Sequence, residues 1–248
     1  MSLSIHHLPK AKYSTAGITY ITYHNPYMIA WWSAVFPGFG HYILNQYLRA
    51  TLLTIVEVTI NTGAHINEAM VYSFCGEIEL AKSTVNIDWM LGYLIIYLIT
   101  IGDSYRSAVQ LNTLATLAQP TIPNFKLLPL EVSYLLPKKP LLSAIYSFLF
   151  PGFGQLYNQR IFLAFYATFW WWVYLLLSHA HRAIVLLIVG EFDTSLAVLR
   201  PHWLLFMPSV LGGSIYFAYV TCCVHNNLIR ESQQARLLNR YSGSRLRL

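Results

Sequence analysis

A chain of 248 residues with 56% apolar and only 10% charged residues cannot clothe a water-facing surface, since an ordinary soluble domain carries roughly 25% charged residues. Its net charge of +6 sits in short segments between apolar runs and in the tail, never interleaved with stacking aromatics, which argues against nucleic acid and for anionic lipid and topology. Seven Trp, eighteen Tyr and thirteen Phe suit a bilayer, whose headgroup level collects amphipathic rings.

Residues 1–25 hold Lys10 and Lys12 but no sustained apolar run, so they predict a cytoplasmic segment and not a cleavable leader. A short apolar helix is expected over 26–36 and runs into Pro37-Gly38-Phe39-Gly40. About eleven helical residues rise only ~16 Å, half of a hydrocarbon core near ~30 Å. A half-span ending in a Gly/Pro turn reads as a re-entrant hairpin or a broken spanning helix. A second helix over 47–63 is just long enough to cross. Next comes a polar-flecked middle in which Ala69, Tyr72, Gly76 and Ala81 stand as in a tetratricopeptide hairpin, where small residues let two antiparallel helices approach. This predicts an interfacial helical hairpin, with a single helix bent at Gly76 as the alternative. A long apolar helix over 87–109 closes the set.

The whole set then recurs. Pro151-Gly152-Phe153-Gly154 repeats the first break 114 residues on, and the same offset pairs Ser33 with Ser147, His65 with His179, Gly76-Glu77 with Gly190-Glu191, Trp89 with Trp203 and Asn112 with Asn226. The chain therefore divides into a segment 1–25, a repeat 26–112, a linker 113–139, a repeat 140–226 and a basic cytoplasmic tail 227–248. The expected fold is all-α: two parallel tandem repeats, each with a re-entrant broken helix, two crossing helices and an interfacial hairpin.

Charge sets the topology. With both termini, the linker, Arg106 that flanks it, Arg49 and Arg160 on the cytoplasmic side, thirteen of the sixteen basic residues lie there, and six of the ten acids lie opposite, as the positive-inside rule favours. This predicts a multi-pass protein of the cell membrane with four crossings and cytoplasmic termini.

The two breaks with the residues just after them, Pro-Gly-Phe-Gly-Gln-Leu-Tyr-Asn-Gln at 151–159 and Pro-Gly-Phe-Gly-His-Tyr-Ile-Leu-Asn-Gln at 37–46, resemble the Gly-x-Gly-x-x-Tyr-x-Gly core of the TM-two domain family. The resemblance implies helix, glycine turn and helix, often closed by an Asp that Asp103 could supply, in a membrane protein without an assigned activity. Asn45 and Asn158 stand where that family has glycine, and Phe217 replaces the acid in the second copy.

Few residues invite a chemical reading. Glu57 falls near the middle of a crossing helix, where a carboxylate is costly and therefore a candidate for function. Thr54 and Asn61 lie one turn away on either side. A protonated Glu, or one bonded to the re-entrant loop, is the structural alternative. Asp103 and Arg106 are spaced as a pair on one helix face. The breaks Pro37, Gly38, Gly40, Pro151, Gly152 and Gly154 could offer backbone N–H groups to an anion or serve only to turn and pack the chain. His65, His179 and His181 lack the partners a metal needs. Cys75, Cys222 and Cys223 form no disulfide framework. No catalytic or phosphate-binding motif occurs, so no cofactor, metal or enzymatic activity is expected. The lipid bilayer and other membrane proteins are the expected partners, with a scaffolding role first and an ion or solute path near Glu57 and the breaks second.

Overall fold

Helices dominate the chain, and their starts fall on a fixed stride. The computed structural model describes residues 9–14, 17–118, 125–127 and 132–241. In order these form β1 (Ala11–Ser14), β2 (Gly17–Tyr20), α1 (Pro26–Val35), α2 (Phe39–Ile43), α3 (Tyr47–Ala64), α4 (Ile66–Phe74), α5 (Ile78–Thr84) and α6 (Ile87–Leu117). Then come β3 (Phe125–Leu127), β4 (Val132–Tyr134), α7 (Pro140–Leu149), α8 (Phe153–Tyr157), α9 (Ile161–Leu177), α10 (Ala180–Val189), α11 (Phe192–Val198), α12 (Pro201–Leu204) and α13 (Phe206–Tyr241). Helix starts at 26, 39, 47, 66, 78 and 87 are met again 114 residues later. Left-handed backbone ends the same helices at matching places: Gly38 and Gly152, Asn45 and Gln159, His65 and His179, Gly76 and Gly190.

Three features differ from the sequence reading. The fold is helical as expected, but residues placed in a leading segment and a linker pair as short antiparallel hairpins, β1 with β2 and β3 with β4. Helix α6 runs past 112 to Leu117, and α13 runs through 226 to Tyr241, because nothing in either stretch breaks a helix once its apolar face has ended. Most of the expected tail is thus helical, while Arg245, Arg247 and the stretch 242–244 lie outside the described residues. In the second break the resemblance gives the glycine position to Asn158, whereas the left-handed residue is Gln159.

Among the described residues, two helices are long and apolar enough to cross a membrane: residues 87–117, mean hydropathy 1.3, and residues 201–238, mean hydropathy 1.5. At ~1.5 Å per residue each exceeds a ~30 Å core. Helices α9 and α10 together are apolar enough for a third, but they bend by 62° at their junction. One side of α6 leaves Leu91, Leu94, Leu98 and Ile99 exposed, the surface expected against lipid.

By internal contacts the chain divides into two compact units. One comprises residues 1–25, 107–165 and 214–248. Its apolar core gathers Tyr13, Ile18 and Tyr20 from the first hairpin with Leu135, Leu228 and Ile229. Arg160 is fully buried here, its guanidinium 5.0 Å from the Tyr20 ring and 5.6 Å from the Phe217 ring, a cation–π arrangement that suits a weakly hydrated cation. The other unit comprises residues 26–106 and 166–213. An aromatic stack, Trp170 on Tyr174 on Phe206, fills its core with ring separations of 5.4 and 4.9 Å.

Within the first unit, a side-chain amide clamps the strand-to-helix connection twice. Asn112 accepts from the His24 N–H at 2.9 Å and donates to the His24 carbonyl at 2.8 Å. Asn226 accepts from the Lys138 N–H at 3.0 Å and donates to its carbonyl at 2.7 Å, and 24 and 138 again differ by 114. Burial pulls the His24 imidazole down to about 4 and the Lys138 ammonium below its usual value. Lys138 donates to the Tyr157 carbonyl and lies 5.2 Å from the Tyr157 ring centre. Replacing Asn112 by Ala removes both bonds at once and is expected to cost about 2 kcal/mol; Asn226→Ala is expected to cost as much. Thermal melts in detergent check this, and an unchanged melt for both variants would refute the clamp.

Candidate functional site

Glu57 sits at the centre of a polar group inside the second unit. Helix α3 carries it inward together with Thr54 and Asn61 at spacings of three and four, and all three are about 1% exposed. The Thr54 hydroxyl donates to the Pro37 carbonyl at 3.3 Å, which ties the first break to α3. The Asn61 amide donates to Glu57 Oε1 at 3.0 Å and to Asn67 Oδ1 at 3.1 Å, and lies 3.5 Å from the Tyr93 hydroxyl. In return Asn61 Oδ1 accepts from the Asn67 N–H at 3.2 Å. Asn67 then donates to the His202 carbonyl at 3.1 Å, while His202 Nε2 lies 3.1 Å from the Thr62 hydroxyl. Glu57 Oε2 is buried with no hydrogen-bond partner among the described residues, as are the Tyr174 hydroxyl and His202 Nδ1. Leaving such atoms unpaired costs about 1–3 kcal/mol each.

This string of polar groups ends at a pocket of about 300 Å³ whose wall includes Thr62, His65, Glu68, Arg200, His202 and Trp203. His65 Nδ1 is 3.3 Å from Glu68 Oε2, and Tyr72 donates to Glu68 Oε1 at 3.1 Å.

Asp103 and Arg106 lie elsewhere in the same unit. Arg106 donates to Asp103 Oδ1 at 3.1 Å, as their spacing suggests. Two further residues converge on the other oxygen: Arg49 donates at 3.0 Å and His41 Nε2 lies at 3.0 Å. His41 is fully buried, whereas Arg49 and Arg106 are more than half exposed. The carboxylate therefore fastens the first break, through His41, to α3 and α6. With both oxygens occupied it has little left to offer a ligand.

At the matching place in the other unit the chemistry is neutral. Gln155 accepts from the Ser147 hydroxyl at 3.0 Å and donates to Ser214 at 2.9 and 3.1 Å. Residues 33, 41 and 100 correspond by the 114 stride to 147, 155 and 214, yet among the described residues the Ser33 and Thr100 hydroxyls are buried without partners, because His41 turns to Asp103 instead.

The glycine breaks act by close approach. A methyl group on Gly40 would lie 2.5 Å from the Ile29 carbonyl and overlap the Ser33 hydroxyl, and the five-residue helices α2 and α8 are too short to gather an anion. His65 and His179 both occupy left-handed caps.

Sequence reasoning missed His41, Asn67 and His202. A polar residue inside each apolar turn, His41 and Gln155 at one register, was the available signal for the first. Asn67 and His202 are 135 residues apart, and no local pattern links them. The chain matches no family model, no curated protein and no solved structure.

Proposed function

We propose that this is a multi-pass integral protein of the cell membrane, built from two parallel copies of one unit and resembling TM-two proteins, that packs with and scaffolds other membrane components rather than catalysing a reaction. Four crossings with re-entrant breaks and cytoplasmic termini remain the reading of choice: α3 and α9, with 18 and 17 residues, reach ~26 Å, close to a thin hydrocarbon core. The matching helix starts and the two Asn clamps support the two-copy reading, and the clamps extend each copy outward into its hairpin.

One observation carries the scaffolding role. The hairpin of α10 and α11 leaves Ile188, Val189, Phe192 and Leu196 between 64% and 80% exposed, and an apolar surface of that kind needs a cover. A photo-cross-linking residue at position 188 or 192, activated in native membranes, is expected to give a discrete protein adduct; lipid adducts alone would defeat the role. The transport reading rests on the buried, unpaired oxygen of Glu57. It predicts ion or solute flux in liposomes that Glu57→Gln abolishes, and the scaffold reading predicts none.

A further inference from the structure

Glu57 has no counter-charge among the described residues. Among the described residues the ion pairs use Glu68, Glu79, Asp103 and Glu231, and none uses Glu57. The titratable groups that interact with it are Tyr93 and Tyr97 from α6 and Tyr174 from α9, all neutral phenols. Farther along the polar string stand His202, then His65, Glu68 and Arg200 at the pocket. A carboxylate enclosed in this way, with one amide bond and no cation, is costly to keep charged.

Two kinds of cation could relieve it. A metal ion needs several oxygens at once, but Asn61 Oδ1 already accepts from Asn67 and Asn67 Oδ1 from Asn61. A proton needs only Oε2. It converts that orphan acceptor into a donor, and Tyr174, which interacts with Glu57, carries a buried hydroxyl that also lacks a partner.

We propose that Glu57 is a proton-binding site, with the proton on Oε2, and that it exchanges with water through the pocket bounded by His202, Thr62 and Glu68. Binding forms one O–H bond at Oε2, breaks one in a hydronium ion of the pocket water to leave a water molecule, and cancels the carboxylate charge. Release reverses this, water entering past His202, while Asn61 and Asn67 hold the carboxyl by its other oxygen and relay no proton. The site stands apart from the scaffolding role and is tested in detergent, so failure of one does not imply failure of the other.

Infrared spectra of the purified protein at pH 7 are expected to show a protonated-carboxyl carbonyl band that shifts in deuterated water. The band should be absent from Glu57→Gln and present in Asp103→Asn. Deuterium uptake by the band should slow about tenfold in His202→Phe, which fills the pocket end of the string. Absence of the band from the wild type, or its survival in Glu57→Gln, would overturn the site. Unchanged uptake in His202→Phe would overturn the route. Should Glu57→Gln fail to fold, Glu57→Asp decides the matter: its carbonyl band should move in frequency, and a band left unmoved would overturn the site.

Discussion

Replacing Gly154 by alanine is expected to cost at least about 3 kcal/mol, enough to leave little folded protein after detergent extraction. The added methyl would overlap the Ser143 carbonyl and the Ser147 hydroxyl and lie 2.7 Å from the Ala218 side chain. None of these can retreat cheaply. The Ser143 carbonyl belongs to α7, the Ser143 hydroxyl is held by the Gly154 and Ala218 carbonyls at 3.2 and 3.1 Å, and Ser147 is bonded to Gln155. Asn158 adds bonds to the Ser143 hydroxyl and the Ala218 carbonyl at 2.9 and 2.8 Å, so the close approach is locked from both sides. Gly102→Ala is the control. It lies in α6 with nothing within 4 Å of the new methyl, and should be neutral or stabilising by up to ~1 kcal/mol, since alanine favours a helix interior. Thermal melts monitored by size-exclusion chromatography would separate the two. Equal behaviour of both variants would show that the break does not depend on close packing.

The same residues show why part of the structure could be read without coordinates. Gly and Pro punctuate helices by local sterics, and an offset that holds Gly-Glu, Trp and Asn in register carries across a whole unit. The helices beginning at 26, 47, 66 and 87 and their later counterparts were therefore legible. Strands of three or four residues are too short for an alternation pattern to stand out, which hid both hairpins. In retrospect the offset reaches them, pairing Lys12 with Lys126, Tyr20 with Tyr134 and Pro26 with Pro140. Of the candidate site, Glu57 with Asn61 and Asp103 with Arg106 were visible because helical spacing places each pair on one face. The partners that complete each group, His202 for the first and His41 for the second, come from distant segments brought together by packing. Helical periodicity contains no information about them.

Removing the Asp103 side chain is expected to cost about 3 kcal/mol, most of it through His41. The exposed arginines lose little, because a solvated ion pair contributes only ~0–1 kcal/mol, so Arg106→Ala should hardly move the melt. His41 is different: its ring is fully buried, and Asp103→Ala leaves Nε2 as unpartnered as Nδ1 already is. The neutral arrangement around Gln155 indicates how to repair this. Adding His41→Gln to Asp103→Ala places an amide opposite Ser33 and Thr100, whose hydroxyls are buried without partners, just as Gln155 faces Ser147 and Ser214. Two new bonds of about 1 kcal/mol each should return roughly half or more of the loss, so the double variant melts above the Asp103→Ala single variant. A double variant less stable than either single change would mean that the environments of positions 41 and 155 are not equivalent, and the two-copy reading of the breaks would fall with it.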